Sequence, residues 1–307
     1  MTLSVLVPTY KRADSLRRNL QSLISAGLSP LEVIIGDDGG DLETKIVCDA
    51  FNELLPLIRL GQNGKGSLAT NITRLCNAAK GDWLLLLHDD DFLVGNHSAF
   101  PMCFDKDYDL FFTDHWIANS AGIIQEEASN ENSKHYGRNL LNEGLQTNNL
   151  NIGLHQLICL DGFYIRRNAL GDIRPDLYIG QVADFFWVLK ILSNPIRVGY
   201  SAQRLFAYVI SSIGLTSTGG KLNEDCVKGY NKMLLYVTDE NVKLHLQNKI
   251  SLNTWHAVNS CLKRGDRKTA LSLIKAKKYR YSHSIKHQLL LPLQLLLITL
   301  PFNLLKQ

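Results

Sequence analysis

The 307-residue chain has few of the features that would assign it to a special class. Its six cysteines (Cys48, Cys76, Cys103, Cys159, Cys226, Cys261) are scattered. No C-x-x-C pair or His-Cys cluster occurs, which argues against a disulfide framework or a structural zinc site and fits a reducing compartment. There is no low-complexity tract. The start, "MTLSVLVPTYKR", lacks the basic opening and long apolar core of a signal peptide and reads as a strand of the fold. No Walker pattern G-x-x-x-x-G-K-[ST] and no G-x-G-x-x-G is present. "GQNGKGS" has glycines and a lysine at the wrong spacing for either, so it reads as a loop. Nucleic-acid motifs are absent too.

The charge is uneven. The chain carries +4 overall, but residues 261 to 307 hold ten Lys or Arg against Asp266 alone, giving +9 and leaving the first 260 residues at −5. A basic helical surface in water explains this as well as attraction to anionic headgroups does. The sequence that follows favours the second. From Gln288 to Leu305 eighteen residues pass without a charge. That is the lower limit for a membrane span. Pro292, Pro301 and the interspersed Gln, Thr and Asn favour a segment lying in the interface, with a span and a packed helix as the other readings. The expected location is the cytoplasmic face of the inner membrane, peripherally bound.

What the chain does have is an alternation of strands and helices. "SVLVPTY" and "LEVIIGDDGG" are short apolar runs that end in turn residues, and "DWLLLLHDDDF" runs from leucines into three aspartates. Helical periodicity lies between them, as in "ADSLRRNLQSLISAG" with Leu16, Leu20, Leu23 and Ile24 on one face. This order predicts an α/β fold with a mostly parallel sheet covered on both faces. Ligands of such sheets bind beyond the carboxyl ends of the strands. Residues 125 to 153, polar and rich in Asn, read as a mobile loop. "GQVADFFWVLKILSN" reads as a helix, and the chain turns helical from about Leu222. The expected domains are 1–220, a helical region 221–285, and an apolar membrane-associating tail 286–307.

Three acidic sites fall at the predicted strand ends or at a helix start. "GDDGG" could bind a base or ribose, though Asp and Gly also favour plain turns. "HDDD" supplies oxygen ligands of the kind Mg²⁺ or Mn²⁺ prefers, as well as the pattern of an exposed acidic turn. Asp184, beside three aromatics, suits a general base and equally a favourable helix-start charge.

Taken together and in order, "VLVPTYKRADSLRRNLQSL", "VIIGDDGGDLET", "HDDD" and "AD" before a helix resemble the inverting nucleotide-sugar glycosyltransferases of family 2, with a GT-A fold, over roughly residues 1 to 215. The resemblance implies nucleotide contacts from Pro8, Thr9, Tyr10, Asp37, Asp38, Lys65 and Asn71, with Asp38 reading the base. It implies Asp90 as first metal ligand, with Asp89 and Asp91 beside it, His88 as a neighbour, and Mg²⁺ or Mn²⁺ as cofactor. Asp184 matches the family's base.

The chain departs from the family at three places. Thr70 stands where arginine is common, leaving Lys65 or Arg74 to supply the charge. His88 replaces an aspartate, and Ala183 a glutamate. "SSIGLTSTGG" occupies the place of a loop that closes over the donor. The implied activity is transfer from a UDP- or dTDP-sugar to a hydroxyl of a lipid-linked saccharide acceptor, of the kind used in O-antigen or capsule assembly. A sugar-phosphate nucleotidyltransferase and a non-catalytic sugar-nucleotide-binding or scaffold protein of the same fold are the alternatives.

Overall fold

A computed structural model of the protein describes residues 1–61, 66–98, 108–159, 161–210 and 221–275. Lys65, the loop 211–220 and the tail 286–307 lie outside them. The described part divides into two compact units, one of residues 1–177 and 187–217, the other of 178–186 and residues from 218 onward.

The first unit begins β1 (Leu3–Thr9), α1 (Ala13–Ser25), β2 (Glu32–Asp37), α2 (Leu42–Phe51), β3 (Leu57–Gly61), α3 (Leu68–Ala78) and β4 (Trp83–Leu86). It continues β5 (Phe92–Leu93), β6 (Leu110–Ala118), β7 (Ile124–Gln125), α4 (Glu126–Tyr136), β8 (Gly144–Leu145), α5 (Asn149–Leu154), β9 (Tyr164–Arg166) and α6 (Arg167–Leu170). α7 (Ala183–Leu192) and β10 (Val198–Val209) follow. Among the described residues the strands form one sheet in the order β3-β2-β1-β4-β9-β6-β10-β5, with β7 and β8 on its margin. β1 pairs in parallel with β2 and β4, β2 with β3, and β6 with β10. β9 runs antiparallel to both its neighbours, so β6 returns to the direction of β4.

β1, β2 and β4 are buried on both faces, which their uninterrupted apolar sequences require. One face packs Leu16, Leu20 and Leu23 of α1 and Val47 and Phe51 of α2. The other packs Ile72 and Leu75 of α3 and Trp187, Val188 and Ile191 of α7. The parallel strands therefore lie between helices, and their carboxyl ends share one edge.

Residues 125 to 153 are not the loop their composition suggests. They contain α4, a 3₁₀ turn (Arg138–Leu140), β8 and α5. α4 has Glu126 and Glu127 in its first turn, Lys134 and His135 in its last, and Gly137 as a left-handed stop (φ 80°). The face it turns inward is serine. Ser129 Oγ accepts from the Ile117 amide at 2.8 Å and donates to the Gln125 carbonyl, and Ser133 is buried beside it. A helix that docks through hydroxyls has no apolar stripe to read.

The second unit contains α8 (Leu222–Met233), α9 (Glu240–Lys263) and α10 (Arg267–Lys275). The turn between the last two falls at Arg264–Asp266. Residues 178–186 group with these helices. The reason is aromatic. The rings of Phe185 and Phe186 sit 6.1 Å and 5.0 Å from Tyr230, and Gly229 leaves the space that Phe186 fills. No helix of the described residues is long and apolar enough to cross a membrane.

Candidate active site

The ends of β1, β2 and β4 bring most of the expected residues to one edge of the sheet. The Asp38 amide donates to the Thr9 carbonyl at 3.1 Å, which ties the first two ends together. Pro8 and Thr9 are buried. Tyr10 is 42% exposed and carries Lys11 Nζ 5.7 Å from its ring centroid. Its face is thus on offer to a planar ligand.

The two aspartates after β2 have different surroundings. Asp37 is fully buried. Its Oδ1 accepts the Gly39 and Gly40 amides, both at 2.9 Å, and its Oδ2 takes Arg59 Nη2 at 2.5 Å and Nε at 3.0 Å. It shapes the turn. Asp38 receives Arg74 Nη2 at 3.0 Å. The same nitrogen reaches Asn71 Oδ1 at 3.2 Å, and Asn71 Nδ2 donates to the Gly36 carbonyl at 2.7 Å. Burial raises the Asp38 pKa against the opposing charge of Arg74. A Cβ on Gly36 would stand 2.0 Å from Asn71 Oδ1, so α3 can approach β2 only over a glycine. Of the two cations considered for the missing arginine, Arg74 reaches Asp38; Lys65 is outside the described residues.

The turn His88–Asp91 after β4 is held from α1. Asn19 Nδ2 donates to the carbonyls of His88 (2.8 Å) and Asp91 (2.9 Å), and Arg18 Nη2 to that of Asp90 (2.9 Å). Thr9 Oγ1 donates to Asp89 Oδ2 at 2.7 Å. Arg12 Nη1 lies 2.6 Å from Asp90 and 3.4 Å from Asp89. Burial, then the charge of Asp90, pushes Asp89 up to about 6 despite Arg12 and Thr9. Asp90, a quarter exposed, is the most accessible member of the triplet.

Asp91 turns inward. Its Oδ1 accepts the Val209 amide at 2.7 Å, while its Oδ2, though buried, has no hydrogen-bond partner. It faces Asp161, in the turn before β9. Asp161 accepts the His88 amide at 2.7 Å and lies 3.2 Å from His88 Nδ1, and His88 Nε2 is also unpartnered. One ligand atom from each of His88, Asp91 and Asp161 falls within 4.8 Å of the others. Burial and then Asp161 raise the Asp91 pKa well above the usual carboxylate range. Two carboxyls meeting out of water with one orphaned oxygen require a shared proton or a cation. The donor set of oxygens and one imidazole fits Mg²⁺ or Mn²⁺.

Asp184 lies in the first turn of α7, 8% exposed, in the segment that groups with the helical unit. Its Oδ1 accepts the Phe185 amide at 2.8 Å.

The sequence reading missed Arg12, Arg18, Asn19 and Asp161. The first three stand on α1 or just before it, among ordinary surface-type residues. Asp161 occurs in "DG", which reads as a turn and nothing more.

Residues 4–99 match the model of glycosyl transferase family 2. A Campylobacter jejuni protein named GalNAc(5)-diNAcBac-PP-undecaprenol beta-1,3-glucosyltransferase is 32% identical over 94 residues, 30% of each chain. The chain spans only about a third of the length of the curated relatives it matches at the front. S. aureus TarS residues 1–349, solved with UDP-GlcNAc, superposes with a TM-score of 0.59 at 17% identity, covering 91% of this chain and 78% of that one. The mannosyltransferase PcManGT from Pyrobaculum calidifontis, solved with GDP-Man and Mn2+, gives 0.60 at 14% identity, covering 96% and 84%. The motifs at β1, β2 and β4 thus sit in the matched domain, and a mixed, mostly parallel sheet carries them. Residues 4–99 thus resemble glycosyl transferase family 2, and the chain has the GT-A fold of these solved structures.

Proposed function

We propose that the protein transfers a sugar from a UDP- or dTDP-sugar to a hydroxyl of a lipid-linked saccharide, with inversion at the anomeric carbon. The observation that carries the reading is the carboxylate edge. Asp38, Asp89 and Asp90, each with an arginine against it, converge at the strand ends with Tyr10 exposed beside them.

In this reading Tyr10 stacks on the base, and Asp38, oriented by Arg74 and Asn71, accepts its hydrogen bonds. Pro8, Thr9 and Asp37 shape the turns that hold them, and Lys65 stays a candidate for the phosphates. Asp90, with Asp89 and Asp91 beside it, would hold Mg²⁺ or Mn²⁺, and His88 and Asp161 add donors on the inner side. A divalent ion there supplies neutralisation of the diphosphate leaving group. Asp184 takes the proton from the acceptor hydroxyl as it attacks. A single displacement inverts the carbon without a covalent intermediate.

A lipid-linked acceptor and an inner-membrane surface are supported by the basic segment before the uncharged run 288–305 and by the undecaprenol named for the Campylobacter relative. Deleting residues 286–307 is expected to release the protein from membranes. A deletion variant that still pellets with them would remove this part.

The test of the reaction is release of UDP or dTDP from a panel of nucleotide sugars with Mn²⁺ and a lipid-linked saccharide acceptor. Asp184→Asn is expected to lower transfer by about 10³-fold while donor binding stays within twofold. Normal turnover by this variant would exclude Asp184 as the base.

A further inference from the structure

A second polar concavity lies in the first unit, built on β6 and β10. It has a volume of about 410 Å³ and is lined by Asp114, Trp116, Arg138, Asn139, Tyr200 and Arg204, among others. That size is within the roughly 300–1,000 Å³ of small-molecule sites.

The register of β10 against β6 slips between Ser201 and Arg204 and again between Arg204 and Ala207, so Arg204 stands opposite Asp114 between two irregularities. Bulges re-aim side chains in this way. Asp114 is bracketed. Its Oδ1 takes Arg138 Nε at 2.8 Å and its Oδ2 takes Arg204 Nε at 3.0 Å. Arg138 is 1% exposed and is held further by Asn132 Oδ1 and by its contact with His115 Nε2 at 3.4 Å. Arg204 reaches Asn130 Oδ1 at 2.9 Å and stacks 4.7 Å from the Trp116 ring centroid. The Nη1 of each arginine has no hydrogen-bond partner among the described residues.

The charges do not balance. Burial opposes ionisation of Asp114, but the two arginines outweigh it and keep it below the usual carboxylate range. Burial, and then the charge of Arg138, pushes His115 down to about 3, so it is neutral. Inside the cleft two guanidiniums face one buried carboxylate; Glu143, exposed at the rim, is held by Ser201 Oγ and the Ala202 amide, both at 2.8 Å. Burying a charged arginine in a lined cleft with a surplus positive charge is costly unless an anion completes it. Guanidiniums match planar or tetrahedral oxyanions through paired N–H donors. Trp116, Tyr200 and Asn139 add the aromatic and amide surface that suits a sugar ring.

We propose that this cleft binds an acidic saccharide through its carboxylate or phosphate group, with Arg138 and Arg204 as the oxyanion donors. It would therefore hold a charged residue of the acceptor away from the donor turns. The identification of the ligand as part of the acceptor rests on the glycosyl-transfer reading; the binding itself does not.

The test is calorimetric titration of the full chain, without donor, with glucuronate, glucose 1-phosphate, inorganic phosphate and glucose. At least one acidic sugar is expected to bind tenfold or more tightly than glucose and inorganic phosphate. Arg204→Ala is expected to weaken that binding at least tenfold. Ala202→Glu adds a carboxylate at the exposed rim without touching the buried pairs, so it carries the test if Arg204→Ala fails to fold. It is expected to produce the same loss, with UDP binding within twofold of the parent.

Glucose binding as tightly as the acidic sugars, no binding at all, or unchanged affinity in Ala202→Glu would overturn the proposal. Inorganic phosphate binding as tightly as glucose 1-phosphate would overturn the saccharide assignment. Loss of UDP binding with the cleft intact would count against the donor site only, so the two readings fail separately.

Discussion

Two neighbouring groups of carboxylates in the same sheet handle their charge in opposite ways. Those at the outer edge are matched by arginines: Asp37 by Arg59, Asp38 by Arg74, Asp89 and Asp90 by Arg12. Immediately inward, Asp91 and Asp161 meet beside a histidine, and Asp91 Oδ2 is buried without a hydrogen-bond partner. The outer group is close to balanced as the protein stands. In the inner group, protonation or a cation relieves the buried Asp91 carboxylate, whose Oδ2 is unpartnered. The contrast suggests that charge compensation in the outer group comes from the fold, whereas in the inner group it is left to solution conditions.

The sharpest way to break this comparison is to remove an arginine from the outer group. Arg59→Ala leaves fully buried Asp37 with its turn amides alone. Because Arg59 is a quarter exposed, the expected loss is below the buried-pair range, about 2–3 kcal/mol in urea unfolding. A loss under 0.5 kcal/mol would mean that the outer group is not held by its arginines.

The inner group should respond with the opposite sign. The pKa of Asp91 is higher folded than unfolded, so its carboxyl favours folding only while protonated. Its cost is absent well below the ordinary value of 3.8 and grows as pH rises through it. Asp91→Asn keeps an acceptor for the Val209 amide and cannot ionise. A Tm gain of a few degrees is expected at pH 7.5, vanishing near pH 3. Mn²⁺ should raise the Tm of the parent more than that of this variant, since a ligand stabilises only the state that binds it. Destabilisation by Asp91→Asn at neutral pH would erase the distinction between the groups.

The smallest effect belongs to a surface pair that serves as a baseline. Lys45 and Asp49 lie 2.5 Å apart on α2, both more than half exposed. Lys45→Ala is expected to change stability by no more than about 0.5 kcal/mol, measured by the same urea titration. A larger change would show that exposed pairs cannot serve as the reference.

Much of this was legible in the sequence, and the rest was hidden for physical reasons. Strands buried on both faces write themselves as apolar runs, so β1, β2 and β4 and the acidic turns after them could be read directly. A partner supplied from another element cannot. Arg12 and Asn19 look like any polar residues of a helix start and a helix, and only the packing of α1 onto the sheet shows that they hold the turn after β4. Asp161 is 70 positions beyond Asp91 and meets it only because β9 returns between β4 and β6. The grouping of Asp184 with the helical unit was not legible either. That follows from Phe186 filling the space over Gly229, 43 positions later.

α4 shows what a serine-faced contact means for motion. A helix that docks through the hydroxyls of Ser129 and Ser133 and the amides of Asn130 and Asn132 can lift away and satisfy most of the same groups with water, exposing little apolar surface beyond the Tyr136 ring. Its opening is therefore decoupled from the cooperative core. Its amides belong to the low-energy end of native-state exchange, while those of β1 and β2 report the unfolding of the whole sheet.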